Sequence, residues 1–161
     1  MSTRCQIRFE IISKDWNEKV QIYRHYDGYP EAVIQDLKEF YDWYLSKPFE
    51  RDADPPFEAA DFIFFMKLKV YKMWNENGDK ILKGAEKIGY GVENVGENHG
   101  DEDYLYRVVW NKIRYPNEKY PRIYVAECPW NVTNGFDVLK FKDYGPLDIA
   151  LENIIKEIEN R

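Results

Sequence analysis

From Arg4 to Ile12 the chain alternates: Cys5, Ile7, Phe9 and Ile11 are apolar, while Arg4, Gln6, Arg8 and Glu10 between them are polar. No other feature narrows the fold so far, because a period of two places one set on each face of a strand and fits no helix. A strand with one apolar face needs neighbours in a sheet and a second layer to cover it. Val20 to Tyr26 has the same character, and the polar link Lys14–Glu18 suits the turn of an antiparallel hairpin.

The second strand breaks at Asp27-Gly28. Pro30 fits the first turn of a helix, where its missing N–H costs nothing, and Glu31 complements the helix dipole. Val33, Leu37, Phe40 and Tyr44, flanked by Ile34, Tyr41 and Leu45, predict a helix over 30–46. An acidic, proline-bearing loop leads to a second helix over 57–74, nearly all apolar through Phe62-Ile63-Phe64-Phe65-Met66. So apolar a helix either packs on two sides or presents an interface. Glycines 84, 89, 91, 96 and 100 punctuate the next region, which reads as a short helix or turn near 80–87, an extended piece near 88–95 and a loop. Residues 103–110 and 121–128 read as a second hairpin, Asp137 to Phe141 as a short edge strand, and 146–159 as an amphipathic helix opened by Pro146. The expected fold is a single α+β domain over 1–161. Two hairpins and the edge strand form an antiparallel sheet with helices packed on one face, and the helical pair at about 30–74 lies between the hairpins.

Composition supports a real core. The 161 residues are 44% hydrophobic and 17% aromatic, so rings (13 Tyr, 9 Phe, 5 Trp) must supply much of the buried area, and the composition argues against disorder. A net charge of −6 argues against non-specific binding to nucleic acid or to an anionic membrane. The charge is uneven: Glu93, Glu97, Asp101, Glu102 and Asp103 form an acidic stretch, followed by a basic one with Arg107, Lys112, Arg114, Lys119 and Arg122. Cys5 and Cys128 belong to no Cys-x-x-Cys pair, so they read as free thiols in a reducing compartment, or as one disulfide if their strands are neighbours. With no signal-peptide pattern after Met1 and no apolar run long enough to span a bilayer, a soluble cytoplasmic protein is expected.

The densest chemistry is Tyr23-Arg24-His25-Tyr26-Asp27-Gly28-Tyr29-Pro30, at the strand-to-helix corner. Arg24 shares the strand face of Ile22, so it starts toward the core and needs a carboxylate or carbonyls. On one reading Arg24 forms a structural ion pair and Asp27 an Asx-turn. On the other, Gly28 admits a close backbone approach and the helix N-terminus, with Arg24 or His25 alongside, holds a phosphate or carboxylate. The binding candidates are therefore Arg24, His25, Asp27, Gly28 and Asp101. The two histidines, His25 and His99, each precede an aspartate (Asp27, Asp101) by two residues beside a glycine. Brought together, His25, Asp27 and His99 would be candidates for acid–base catalysis in a phosphodiesterase or nuclease, with Arg24 or Arg107 as the cation.

Other chemistries lack their patterns. Gly89-Tyr90-Gly91 has neither the third glycine nor the lysine of a phosphate loop, and Asp101-Glu102-Asp103 lacks calcium-loop spacing. No metal and no cofactor are expected. Tyr104, Tyr106, Trp110, Tyr115, Tyr120, Tyr124 and Trp130 lie beside basic residues, the combination that holds single-stranded nucleic acid, so specific binding of that kind stays open.

The opening Ser2-Thr3-Arg4 with Ile7, the Tyr23–Pro30 stretch, and Gly100-Asp101 with Tyr104, Tyr106 and Val108 carry a resemblance. The chain resembles a group of short uncharacterised proteins from phages, bacteria and archaea. The match covers roughly the first third and the middle hairpin, leaves Phe57 to Trp74 unmatched, and brings no catalytic assignment. It implies a setting in phage or mobile-element biology. The leading expectation is a binding or accessory protein with a site for a small anionic ligand or a protein partner at the Tyr23–Pro30 corner. The alternatives are the histidine enzyme, and an acidic protein-binding inhibitor using the 93–103 loop or the aromatic surface. No membrane partner is expected.

Overall fold

Both apolar alternations become strands. The computed structural model describes residues 3–46, 53–76, 89–98 and 100–161. In chain order the elements are β1 (Cys5–Ile12), β2 (Asn17–Arg24), α1 (Pro30–Tyr44), α2 (Pro55–Glu76), β3 (Tyr90–Glu93), β4 (Tyr104–Asn111), β5 (Arg122–Glu127), α3 (Gly135–Val138), β6 (Lys142–Pro146) and α4 (Leu147–Glu159). The short helix or turn expected at 80–87 lies outside the described residues.

The class is α+β as expected, but the sheet is mixed. Its order is β3-β2-β1-β4-β5-β6. β1 pairs antiparallel with β2, with Ile7 opposite Ile22, and parallel with β4, with Ile7 opposite Tyr106. The expectation of a purely antiparallel sheet is therefore corrected at its centre. β3 occupies the outer edge of β2, so the second hairpin joins the sheet at the free edge of β1. The long connection through α1, α2 and β3 brings it there in parallel orientation.

Cys5, Ile7, Phe9 and Ile11 meet the long helices in one core with Phe40, Tyr41, Phe62, Tyr106 and Ile154. Rings interlock there: Phe62 lies 5.8 Å from Phe9 and 5.4 Å edge-on from Phe40, centroid to centroid. α1 packs on α4, and α2 lies against β1 and β2. Phe62 and Met66 face that core, while Phe57, Phe64, Leu68 and Tyr71 line the exposed side of α2.

The edge strand expected at Asp137–Phe141 is also corrected. Its start belongs to the helical turn α3, and the extended segment begins only at Lys142. The cause is packing at Gly135, where a Cβ would stand 2.5 Å from Leu105 Cδ1. The chain is pressed onto the face of the sheet there, not its edge, and reaches β5 only after Phe141. α3 thus covers the face opposite the long helices, so the helices are not confined to one side. Beneath this second cover Gln6, Arg8, Glu10 and Gln21 are buried. Gln6 and Gln21 tie down the 94–98 segment by donating to the Glu97 carbonyl, at 2.8 and 2.9 Å.

Candidate functional site

The strand-to-helix corner is built around Arg24. β2 delivers its side chain to the core side, where it is 1% exposed. Nε donates to the Tyr26 carbonyl at 2.8 Å and Nη2 to the Asp27 carbonyl at 3.0 Å. Nη1 lies 2.8 Å from Asp36 Oδ2, close enough for an ion pair but off the angle of a hydrogen bond. The guanidinium also stands 4.9 Å from the Tyr26 ring centroid. Burial alone would weaken its hold on the proton, but Tyr90 and Asp36 outweigh that and raise its pKa. Arg24 therefore clasps the turn that carries the chain into α1.

Asp36 is buried on α1 and also accepts from Lys69 of α2 at 3.0 Å. Lys69 donates to Glu39 as well, at 2.6 Å. These bonds, led by that to Glu39, overcome desolvation and raise the Lys69 pKa. The Arg24–Asp36–Lys69 chain thus links β2, α1 and α2 around a cleft of about 300 Å³. Its apolar wall is Ala32, Met66, Val70 and the Tyr26 ring, and its polar rim is Arg24, Asp27, Gln35, Asp36 and Lys69.

The candidates from the sequence separate. Gly28 does receive a close backbone approach, but from the chain's own first residues. A Cβ there would lie 3.0 Å from Thr3 O and Arg4 C, and its N–H donates to Thr3 O. Asp27 sits at φ +44°, in the left-handed region that aspartate tolerates better than most residues, with an exposed side chain. The Asp27 carboxylate makes no hydrogen bond or ion pair among the described residues, so the Asx-turn is replaced by Arg24 holding the backbone. His25 is exposed and does not line the cleft, with Nδ1 2.7 Å from Tyr23 Oη. Asp101 is also exposed and pairs with Arg4. His99 lies outside the described residues. Among those residues no group of three or more His, Cys, Asp or Glu side chains gathers to hold a metal. Cys5 and Cys128 are buried free thiols, and burial pushes the Cys5 thiol up to about 12.

Asp36, Met66 and Lys69 escaped the sequence reading because they come from two helices whose juxtaposition only the fold creates. One signal was available: a core-facing arginine demands a carboxylate, and Asp36 lies on α1 one residue before Leu37 on its buried face.

A second buried acid lies elsewhere in the core. Glu58 is 1% exposed, and its Oε1 accepts from Tyr41 Oη and Trp110 Nε1, both at 2.7 Å. Oε2 is buried without a hydrogen bond. Burial pushes the carboxyl up to about 7, against the pull of the two donors.

No helix among the described residues is long and apolar enough to cross a membrane. No protein-family model, curated protein or solved structure matches the chain.

Proposed function

We propose that this protein is a small-ligand-binding module whose site is the cleft beside the Tyr26–Pro30 corner. The observation that carries the reading is the cleft itself. Its roughly 300 Å³ stands at the lower end of the range typical of small-molecule sites, and an apolar wall faces converging polar groups there. The charge arrangement speaks to the ligand. Arg24 and Lys69 are both engaged by carboxylates, which leaves Asp27 as the rim charge without a partner among the described residues. An amine with a short apolar body fits that rim better than the small anion expected from the sequence. Its ammonium would meet Asp27 and the Gln35 carbonyl oxygen, and its body would lie on Met66 and Val70.

Methyl NMR tests this directly, with Ala32, Met66 and Val70 as reporters and a panel of small primary amines against their alcohol counterparts. Amines are expected to shift all three reporters saturably, with Asp27→Asn weakening the response and Ala32→Phe, which fills the cleft, abolishing it. Equal shifts from alcohols and amines would refute the proposed chemistry, and silence from every compound would refute the site.

A further inference from the structure

On the opposite face of the sheet a second arginine is buried under different terms. Arg8 is 6% exposed at the centre of β1, level with Gln21 on β2 and Arg107 on β4. Its Nε donates to Gln21 Oε1 at 2.9 Å, and its guanidinium lies flat enough on Phe136 for Cζ to stand 3.9 Å from the ring centroid. Arg107 takes the buried Glu10 carboxylate, holding it through two bonds of 2.6 and 3.1 Å. No carboxylate of the described chain lies within ion-pair distance of Arg8.

Two cations thus stand side by side, and only Arg107 has a carboxylate in direct contact, which leaves the buried Arg8 without an ion-pair partner. The proton affinities agree. A hydrogen bond to Glu10 raises the Arg107 pKa, whereas at Arg8 desolvation, with Arg107 beside it, outweighs the more distant Glu10 and Asp137 and lowers it. Arg8 also lines a cavity of about 30 Å³ between the 96–98 and 133–137 segments. Gln6, Asn98, Thr133 and Asn134 bring amides and a hydroxyl to its wall. Two carboxylates, Glu97 and Asp137, stand at its rim. Glu97 is held by the Asn94 N–H at 3.1 Å, and Asp137 is exposed.

We propose that this cavity is a binding site for a small oxyanion, held by the terminal nitrogens of the Arg8 guanidinium, with the Thr133 hydroxyl and Asn134 amide at its wall. A planar fork of donors matches an oxyanion in shape as well as charge. The volume admits one compact anion and not a ligand with an extended body. Because Asp137 faces the same space, a singly charged species is favoured. The site lies across the sheet from the Asp27 cleft and stands or falls separately.

Calorimetric titration tests it, with inorganic phosphate near pH 6 and acetate as two arms and chloride at matched ionic strength as the blank. Saturable binding of phosphate, acetate or both at one site supports the proposal, and the arm that binds tells a phosphate-type from a carboxylate ligand. Arg8→Met is expected to weaken that binding at least about tenfold, while Lys119→Met, the same charge change on the surface, leaves it within about twofold. Asp137→Asn tests the site without touching Arg8, and removing the competing carboxylate is expected to tighten binding by about threefold. Equal heats for wild type, Arg8→Met and Lys119→Met would mean general screening only and would overturn the proposal. So would unchanged or weaker binding in Asp137→Asn.

Discussion

Arg24 and Arg8 are both arginines in neighbouring strands at the centre of one sheet, both almost wholly buried, and the fold treats them oppositely. Arg24 receives two carbonyls, a carboxylate and a ring face, all from within the chain. Arg8 receives one amide and a ring, while the carboxylate within reach of its face is claimed by Arg107. The first is a clasp whose charge is neutralised by the structure it holds. The second is a charge without an ion-pair partner beside a cavity, which is how a fold can receive an anion. Burial of a guanidinium therefore says little about its role until its partners are counted.

The largest expected effect separates the two. Arg24→Met leaves Asp36 short of a partner and frees the turn, so it should cost about 3–5 kcal/mol in a urea melt. A loss below about 1 kcal/mol would mean that the clasp does not hold the corner.

Glu58 sharpens the comparison from the acid side, as a buried carboxyl with donors but no cation in ion-pair range among the described residues. Its pKa in the folded protein, about 7, exceeds that of an unfolded glutamate, so the folded chain keeps a proton that the unfolded chain releases. The stabilisation it contributes is complete below about pH 4.5 and is lost as pH rises through about 7, by at most about 3 kcal/mol. Urea melts at pH 5 and pH 8 should show wild type weaker at the higher value. Glu58→Gln should flatten that difference, and an unchanged pH dependence in the variant would refute the assignment.

Arg8→Met comes next. It exchanges a charge without an ion-pair partner for an apolar chain of similar length, so without added oxyanion it should change stability by no more than about 1 kcal/mol in either direction. A loss as large as that for Arg24→Met would erase the contrast. The smallest effect is expected at the exposed His25, where His25→Gln should shift stability by less than about 0.5 kcal/mol. A larger change would show that its contact with Tyr23 supports the corner.

How much of this was legible in the sequence follows the range of the signal. β1, β2, β4, β5, α1 and α4 were readable because alternation and helical spacing are local. The reading of Arg24 as core-facing and in need of a partner was sound for the same reason. The parallel pairing of β1 with β4 was not, since nothing in either strand names its neighbour. The clearest failure concerns Gln6, Arg8 and Glu10. Alternation assigned them to a solvated face, yet the 94–98 and 133–137 segments bury them by returning over the centre of the sheet. Gly135, tight against Leu105, marks that return, but its meaning depends on a partner residue 30 positions away. The cleft was half legible: its Tyr26–Asp27 side follows from the corner, its Met66–Lys69 side from helix packing alone.

The most direct test of the contrast is arginine side-chain NMR, following the Nε–H resonances of Arg8 and Arg24 in one sample as inorganic phosphate is added at constant ionic strength. Both protons should exchange slowly with water, because both are buried and bonded. The Arg8 resonance should then move saturably while that of Arg24 stays fixed. An Arg8 resonance that ignores phosphate, or two resonances that drift together, would contradict the assignment of one arginine to the fold and the other to an anion.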